Sequence, residues 1–599
     1  MIRLSEYVIN FLAKEKVKHI FMVSGGGGMF LIDSLGRSKD IQYVCNHHEQ
    51  ASAMSAEGYQ RVNGNLGVAL VTTGPAGTNI ITGLLCSWND SIPVVIISGQ
   101  VASKFLIGDT GLRQRGTHEA NITKIVESVT KYAVTITDAY KIRFHLEKAV
   151  YLARHGRPGP VWLDIPLDIQ ATMIDETKLE PFSDTQERII NIPEIDKQKV
   201  EEITNLLLES RRPVIIAGNG IRLAGLQEDF IRFIETHRIP AVTTKLGFDL
   251  IYDAHELLAG RIGTYGQRAG NFVVQNADFV LVLGSRLAFT TTGYQIEWFA
   301  RGAKKVIVDI DSRQLKYLNI KTDITVQADI KDFLPELSKS LKGKLLNTNT
   351  WISRCQNWRK KYPAVLPEWR KDKKYVNPYY FFEVLSDELD NDDIVITDQG
   401  ATFYCSTPAF KLKKGQRLFT NGGFSPMGYG LPASIGACFA NDKKRIICAH
   451  GEGGLEMNIQ ELQTIVQYKL PIKLFVFNNQ GYLSIKHTQS AYFNGFFVGS
   501  DPASGVTCPD TIKIARAYGI PALRIRNHRG MHAQIRKALK TKGPVMVDVI
   551  LDPMQPFMPR VTSERGADGK FVSKPLEDMY PFLGREEFIS NMIVKPVEG

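Results

Sequence analysis

The stretch RIICAHGEGGLEMNIQELQTIVQYKLPIKLFVFNNQGY, Arg445–Tyr482, decides the fold reading of this chain. An apolar strand, Arg445–Ala449, runs into Gly451-Glu452-Gly453. A helical segment with apolar spacing follows over Met457–Tyr468. A second strand, Ile472–Phe477, then ends in Asn478-Asn479-Gln480-Gly481-Tyr482. Strand, turn, helix and strand in this order bring both strand ends to one carboxyl edge of a parallel sheet, where open α/β folds bind ligands. The Glu452 carboxylate and the Asn479 amide are expected to converge there, beside a helix amino terminus and a Gly-rich turn. Hard oxygen donors with free N–H groups suit Mg²⁺ or Ca²⁺ holding a diphosphate. An ordinary βαβ turn with a chance Asn pair would leave the same trace, so the rest of the chain must decide.

Working outward, the same alternation recurs. In the first third, Ile41–Cys45, Val68–Thr72 and Pro93–Ser98 read as strands, with helical patterns at Ala51–Val62 and Thr78–Ser87. The section closes at the apolar strand PGPVWLDIPLDIQ, Pro158–Gln170, followed by a polar stretch to about Pro193. A second section runs from RRPVIIAGNGIRLAG through ADFVLVLGSR to KKVIVDID. Leu337–Lys374 carries Lys and Trp, loses strand character and reads as a long linker. Strands separated by helices predict α/β architecture with parallel sheets. The expected domains are 1–175, 190–340 and 375–550, with a loop-rich tail or lid over 551–599.

The bulk numbers fit this. At 599 residues the chain exceeds a single core. Its net charge of +11 comes from scattered Lys and Arg with no nucleic-acid motif, so attraction of small anionic substrates is the better reading. Seven Cys without a CxxC point to buried free thiols in a reducing cytoplasm. No apolar run reaches the ~18 residues of a membrane span. The expectation is a soluble, cytoplasmic protein that binds neither nucleic acid nor membrane.

Two further segments complete the pattern. Cys45-Asn46-His47-His48-Glu49-Gln50-Ala51 leads from a strand into a small-residue helix and is followed by VTTGPAGTN, Val71–Asn79. Asn421-Gly422-Gly423-Phe424-Ser425-Pro426-Met427-Gly428 precedes another helix. Taken singly, Glu49 could be a helix amino-terminal acid favoured by the dipole, and Met427 could be core filler.

Together the three segments resemble the thiamine-diphosphate-dependent enzymes, in particular the acetolactate-synthase-like group, over nearly the whole chain. The resemblance implies a thiamine-diphosphate-binding fold twice, flanking a Rossmann-like central domain. It implies Glu452, Asn479 and the Gly481 carbonyl as Mg²⁺ ligands, although the family usually has Asp where this chain has Glu452. It implies Glu49 as the carboxylate that pairs with the aminopyrimidine ring of the cofactor, and Met427 as the prop that bends it. Pro75, Asn79, Gln399, Gly400, Gly451, Gly453, Gly454 and Tyr482 fall on cofactor-binding positions. Gly27, in the Gly25–Gly28 loop, and Gln114 fall near the substrate. Pro575-Leu576-Glu577-Asp578-Met579, within SERGADGKFVSKPLEDM, matches a tail that covers the active site, where a polar loop is the plainer alternative.

The implied reaction is decarboxylation of a pyruvate-like 2-oxoacid with transfer of the acyl unit to a carbonyl acceptor, by analogy a keto-sugar. A decarboxylase or C–C lyase, or a catalytically silent binding homologue, are the alternatives. The family implies a homodimer or homotetramer. FAD is placed in doubt, because Ala288 and Thr290 stand where an acid and a base are usual beside Arg286. An adenine nucleotide, with Asp309-Ile310-Asp311 meeting a ribose, or no nucleotide at all, remains open.

Overall fold

The computed structural model describes residues 1–184, 192–565 and 571–597. Part of the polar stretch before Pro193 and of the SERGADGKFVSKPLEDM tail therefore lies outside the described residues. Three six-stranded parallel sheets follow one another along the chain. Their central strands, such as Val94–Gln100 and Val161–Pro166, are buried at every residue. Helices cover both faces, so these strands read as continuous apolar runs rather than alternating ones.

The first sheet contains, in chain order, His19–Met22, Gln42–Cys45, Gly67–Val71, Val94–Gln100, Tyr132–Thr135 and Val161–Pro166; in space the order is 2-1-3-4-6-5. The third sheet, from Ile394–Thr397 to Val545–Ile550, has the same order. The middle sheet, from Pro213–Ala217 to Ile324–Gln327, runs 3-2-1-4-5-6, the doubly wound order. Each order reverses beside its first strand, and the crevice outside the carboxyl ends there is open to a ligand. In the first sheet the reversal lies between the Gly25–Gly28 loop and Thr72–Asn79. In the third it lies between Asp398-Gln399-Gly400 and Gly451-Glu452.

The first and third units are held together by two helices, Glu49–Asn63 and Gly430–Ala440. Small residues let the backbones approach closely. A Cβ on Gly436 would overlap the carbonyl oxygen of Ser55, and one on Gly58 would overlap that of Ala433. Below this contact Arg61 is bonded to Glu57 and Asp90, both at 2.6 Å. Asp90 also accepts from the Asn421 amide at 3.0 Å.

Two elements differ from expectation. The helix expected over Met457–Tyr468 begins only at Glu461 and runs to Gln467, while a separate short helix, Glu452–Leu455, precedes it and Met457 is exposed in the turn between. The presumed linker holds a helix, Asn349–Lys361, that buries Trp351, Ile352, Cys355 and Trp358. The Trp351 indole donates to the Pro213 carbonyl at 3.0 Å. Five of the seven free cysteines are buried as expected, but Cys45 is exposed and Cys508 half-buried. No helix among the described residues is long and apolar enough to cross a membrane.

Candidate active site

Glu49 is the first residue of its helix, and the His48 ring caps that helix by accepting from Gln50 N–H at 3.1 Å. Asn79, at the end of the short helix that opens at Pro75, donates to Glu49 Oε2 at 3.0 Å. The turn before Glu49 is fixed from the third unit: Glu461 accepts from the Asn46 amide at 2.9 Å and from His47 N–H at 2.8 Å. Gly27 sits on the neighbouring loop, its N–H donating to Thr72 Oγ1 at 3.0 Å. A Cβ there would overlap the Thr73 hydroxyl, so only Gly fits. Gln114 is exposed, and its amide donates to the Glu119 carbonyl at 3.1 Å within the same loop.

The second cluster is built on the third sheet. Asp398 is buried and accepts from Gly428 N–H at 3.2 Å and Gly430 N–H at 3.1 Å, which fixes the loop that presents half-buried Met427. Gln399 donates to the Asn421 carbonyl at 2.9 Å and so ties that loop to the turn at Gly400. On the adjoining strand ends, Glu452 Oε1 accepts from Gly481 N–H at 2.7 Å. Burial pushes the Glu452 carboxyl up to about 7. Asn479 is buried, and its side-chain carbonyl oxygen has no hydrogen-bond partner. Gly481 has φ +126°, and a Cβ there would meet the Ser500 carbonyl, so a carbonyl can be presented here only by glycine. Gly453 lies on the Tyr482 ring and Gly454 on the Asp398 carboxylate, each too close for a Cβ. Gly451 has open space beside it.

Three family models match the chain in this order: the thiamine pyrophosphate enzyme N-terminal binding domain over 2–124, the central domain over 200–337, and the C-terminal binding domain over 398–549. Among similar proteins, the acetolactate synthase large subunit of Cyanidium caldarium is 31% identical over 581 residues, covering 95% of this chain and 96% of that protein. The acetolactate synthase large subunit of Lactococcus lactis is 30% identical, with 94% and 95% covered. A probable acetolactate synthase large subunit from Methanocaldococcus jannaschii is 31% identical, with 93% of each covered.

The chain belongs to the thiamine pyrophosphate enzyme family.

As a thiamine pyrophosphate enzyme of the acetolactate synthase type, the chain carries both binding units of that cofactor, and its residues fit the group. The unpartnered side-chain oxygen of Asn479, the Glu452 carboxylate and the glycines Gly453 and Gly454, too tightly placed for a side chain, come together on neighbouring strand ends and supply hard oxygen donors for a metal-held diphosphate. Among the described residues no hydrogen bond or ion pair joins Glu49 or Asn79 to Met427, Glu452 or Asn479 of the same chain. Glu49 and Asn79 stand on the first unit, and Met427, Glu452 and Asn479 on the third.

A third feature of this thiamine pyrophosphate enzyme is a cavity of about 420 Å³ at the reversal of the middle sheet, lined by Asp90, Arg157, Lys245, Arg286 and Asp309. Arg286 faces it with no ion pair among the described residues, and burial lowers its pKa. Burial brings the Lys245 ammonium down to about 8. It lies 4.0 Å above the Phe403 ring and donates to Ser425 Oγ at 3.2 Å. Asp309 lines the cavity, whereas Asp311 is turned away to Arg157 and the N–H of Arg313.

Sequence reasoning missed Glu461 and Asp398 as positioning groups. Asp398 stands at a strand end beside Gln399, and its grip on Gly428 and Gly430 depends on a contact across 30 and 32 residues. For Glu461, a fully buried acid in an amphipathic helix, the sequence offers no signal separable from a surface charge.

Proposed function

We propose that this chain decarboxylates a pyruvate-like 2-oxoacid and transfers the acyl unit to a second carbonyl compound. When bound, thiamine diphosphate supplies the carbon nucleophile and the electron sink for such chemistry. The observation that carries the reading is the pair of complementary half-sites. A carboxylate with an amide neighbour, Glu49 and Asn79, stands on the first unit, and an oxygen recess on the third is walled by Glu452, Asn479 and Gly481. Glu452, Asn479 and the Gly481 carbonyl would hold Mg²⁺, which would neutralise the diphosphate charge. Glu49 would hold and move a proton at the pyrimidine ring, and Met427 would set the bend of the cofactor. Gly27 and Gln114 would border the substrate.

Two copies would complete each site, the first unit of one facing the third unit of the other, as the resemblance to the family implies. The relatives named above are acetolactate synthases, which supports carboligation over simple decarboxylation. Arg286 and Lys245 suit the phosphates of an adenine nucleotide or of FAD in the middle cavity, and an absorbance spectrum of the purified protein separates the two.

The reaction is tested by incubating the protein with pyruvate, thiamine diphosphate and Mg²⁺, with and without added carbonyl acceptors. Acetolactate, acetoin or an acylated acceptor is expected. Acetaldehyde alone would replace carboligation by decarboxylation, and no CO₂ release would favour a silent homologue.

A further inference from the structure

A second cavity, of about 240 Å³, opens where the three units meet, and none of the residues placed at the cofactor site lines it. The first unit contributes Arg61 and Arg154, the middle unit Arg222 and Lys331, and the third unit Arg417. No carboxylate lines it among the described residues, whereas Asp90, Asp309 and Asp329 all line the larger middle cavity beside it. A cleft walled by one sign of charge concentrates ions of the other.

Carboxylates stand behind these cations but do not match them in number. Arg61 is bonded to Glu57 and Asp90, and Arg154 to Glu15, each at 2.6 Å. Arg222 and Arg417 share the single carboxylate of Asp249, at 2.9 and 2.6 Å. Lys331 is exposed and has no ion pair among the described residues. Five cations thus face four carboxylates, and burial, with Asp90 close by, pushes the Glu57 carboxyl up toward its neutral form.

Arg222 is the sharpest case. Its Nη1 donates to Gln227 Oε1 at 2.7 Å and its Nη2 to Asp249 Oδ1 at 2.9 Å, while its Nε is buried with no partner. Burial lowers its pKa, and the charge of Arg417 adds to the effect. On Arg417, Asp249 engages Nε and the Arg61 carbonyl engages Nη1, and no bond to Nη2 occurs among the described residues. Cationic donors withdrawn from water and left open are costly unless something anionic meets them. The volume sets the size of that group. Pockets for drug-sized molecules hold about 300–1,000 Å³, so this chamber suits one tetrahedral oxyanion with its water rather than a whole nucleotide.

We propose that this chamber is a phosphate-binding site that clamps the three units together, taking the phosphate either as the free ion or as an ester. Guanidinium forks match phosphate oxygens two at a time. Arg154, Pro158, Asn219, Leu223 and Lys331 line both cavities, so an ester can lay its phosphate here and its body in the larger cavity. Arg61, Arg222 and Arg417 line only the smaller cavity, and Arg286 and Lys245 only the larger. The occupant bridges the units at the last turn of the helix that Glu49 opens, and its binding stabilises the folded chain by mass action. The site is independent of the carboligase reading.

Titration calorimetry of the full chain, saturated with thiamine diphosphate and Mg²⁺ so that the diphosphate site is filled, tests this with inorganic phosphate and ADP as probes. Phosphate should bind once per chain and raise the melting temperature. Arg222→Gln should weaken phosphate about tenfold, the loss of a charged hydrogen-bonding partner. Lys331→Gln, which breaks no ion pair, should weaken it about two- to fivefold. Arg286→Gln should leave phosphate binding unchanged, and all three variants should keep the affinity for thiamine diphosphate. ADP bound more tightly than phosphate, and weakened in Arg222→Gln, identifies an ester; phosphate bound as tightly as ADP identifies the free ion. No binding of either probe to the wild type, or affinities unchanged in Arg222→Gln, overturns the proposal and leaves the arginines as braces between units. So does a loss of phosphate in Arg286→Gln alone, which would put the anion in the larger cavity. Should Arg222→Gln fail to fold, Lys331→Gln decides by itself.

Discussion

Glu452 is the residue on which the chemistry of the site depends most. Its carboxylate already spans the gap between neighbouring strand ends, accepting from Gly481 N–H at 2.7 Å. The extra methylene relative to Asp is thus taken up by reaching across to the Asn479–Gly481 turn. If Glu452 ligates Mg²⁺, Glu452→Ala should weaken Mg²⁺ and thiamine diphosphate together, by about 10- to 100-fold, because the diphosphate charge is neutralised through the metal. Glu452→Asp should retain both. Titration calorimetry with and without Mg²⁺ decides it, and unchanged cofactor affinity in the Ala variant would place the metal elsewhere. The residue types of this site were legible because strand–turn–helix–strand topology alone sends Glu452 and Asn479 to one edge. The bond from Gly481 to Glu452 was not, since it depends on the +126° φ of a glycine whose conformation no pattern announces.

At the level of elements, strands and helices were read from their periods, and errors arose where a period was interrupted or unusual. Met457 and Asn458 fall in a turn, so the expected helix starts late, at Glu461, behind a short helix over Glu452–Leu455. Asn349–Lys361 looked like a linker because most of its surface is Arg, Lys, Asn and Gln. Its Trp351, Cys355 and Trp358 nonetheless recur at helical spacing, and that stripe is the face it buries. The contact with the greatest structural leverage is between the Glu49–Asn63 and Gly430–Ala440 helices. Overfilling such a packed interface costs about 1–3 kcal/mol. Gly436→Ala should therefore lower the urea midpoint of unfolding, because its methyl must displace the Ser55 backbone. Turnover should fall as well, since Glu49 opens the helix that would be pushed. A midpoint equal to the wild type would mean that the two helices are not packed this closely.

Across the whole molecule, the first and third units share the strand order 2-1-3-4-6-5, and their sequence rhythm hinted at it. What no reading of one sequence could supply is where the half-sites face. Glu461 anchors the Glu49 turn to the third unit of its own chain, and no hydrogen bond among the described residues joins Glu49 to Met427, Glu452 or Asn479. The units are fastened together by the small-residue helices Glu49–Asn63 and Gly430–Ala440. A two-fold pair would place each first unit against the third unit of its partner and build two equivalent sites. That arrangement is the central claim, and mixing two inactive variants tests it most directly. Glu49→Gln removes the proton-handling carboxylate, whose contribution in such roles is about 10²–10⁴ in rate, and Glu452→Ala removes the metal ligand. Neither variant alone should turn over pyruvate. Co-expressed, half of randomly formed dimers would be mixed, each with one intact site of two, so activity should return to about a quarter of the wild-type level. Failure of the mixture to recover any activity, with mixed dimers shown to be present, would contradict a site built from two chains.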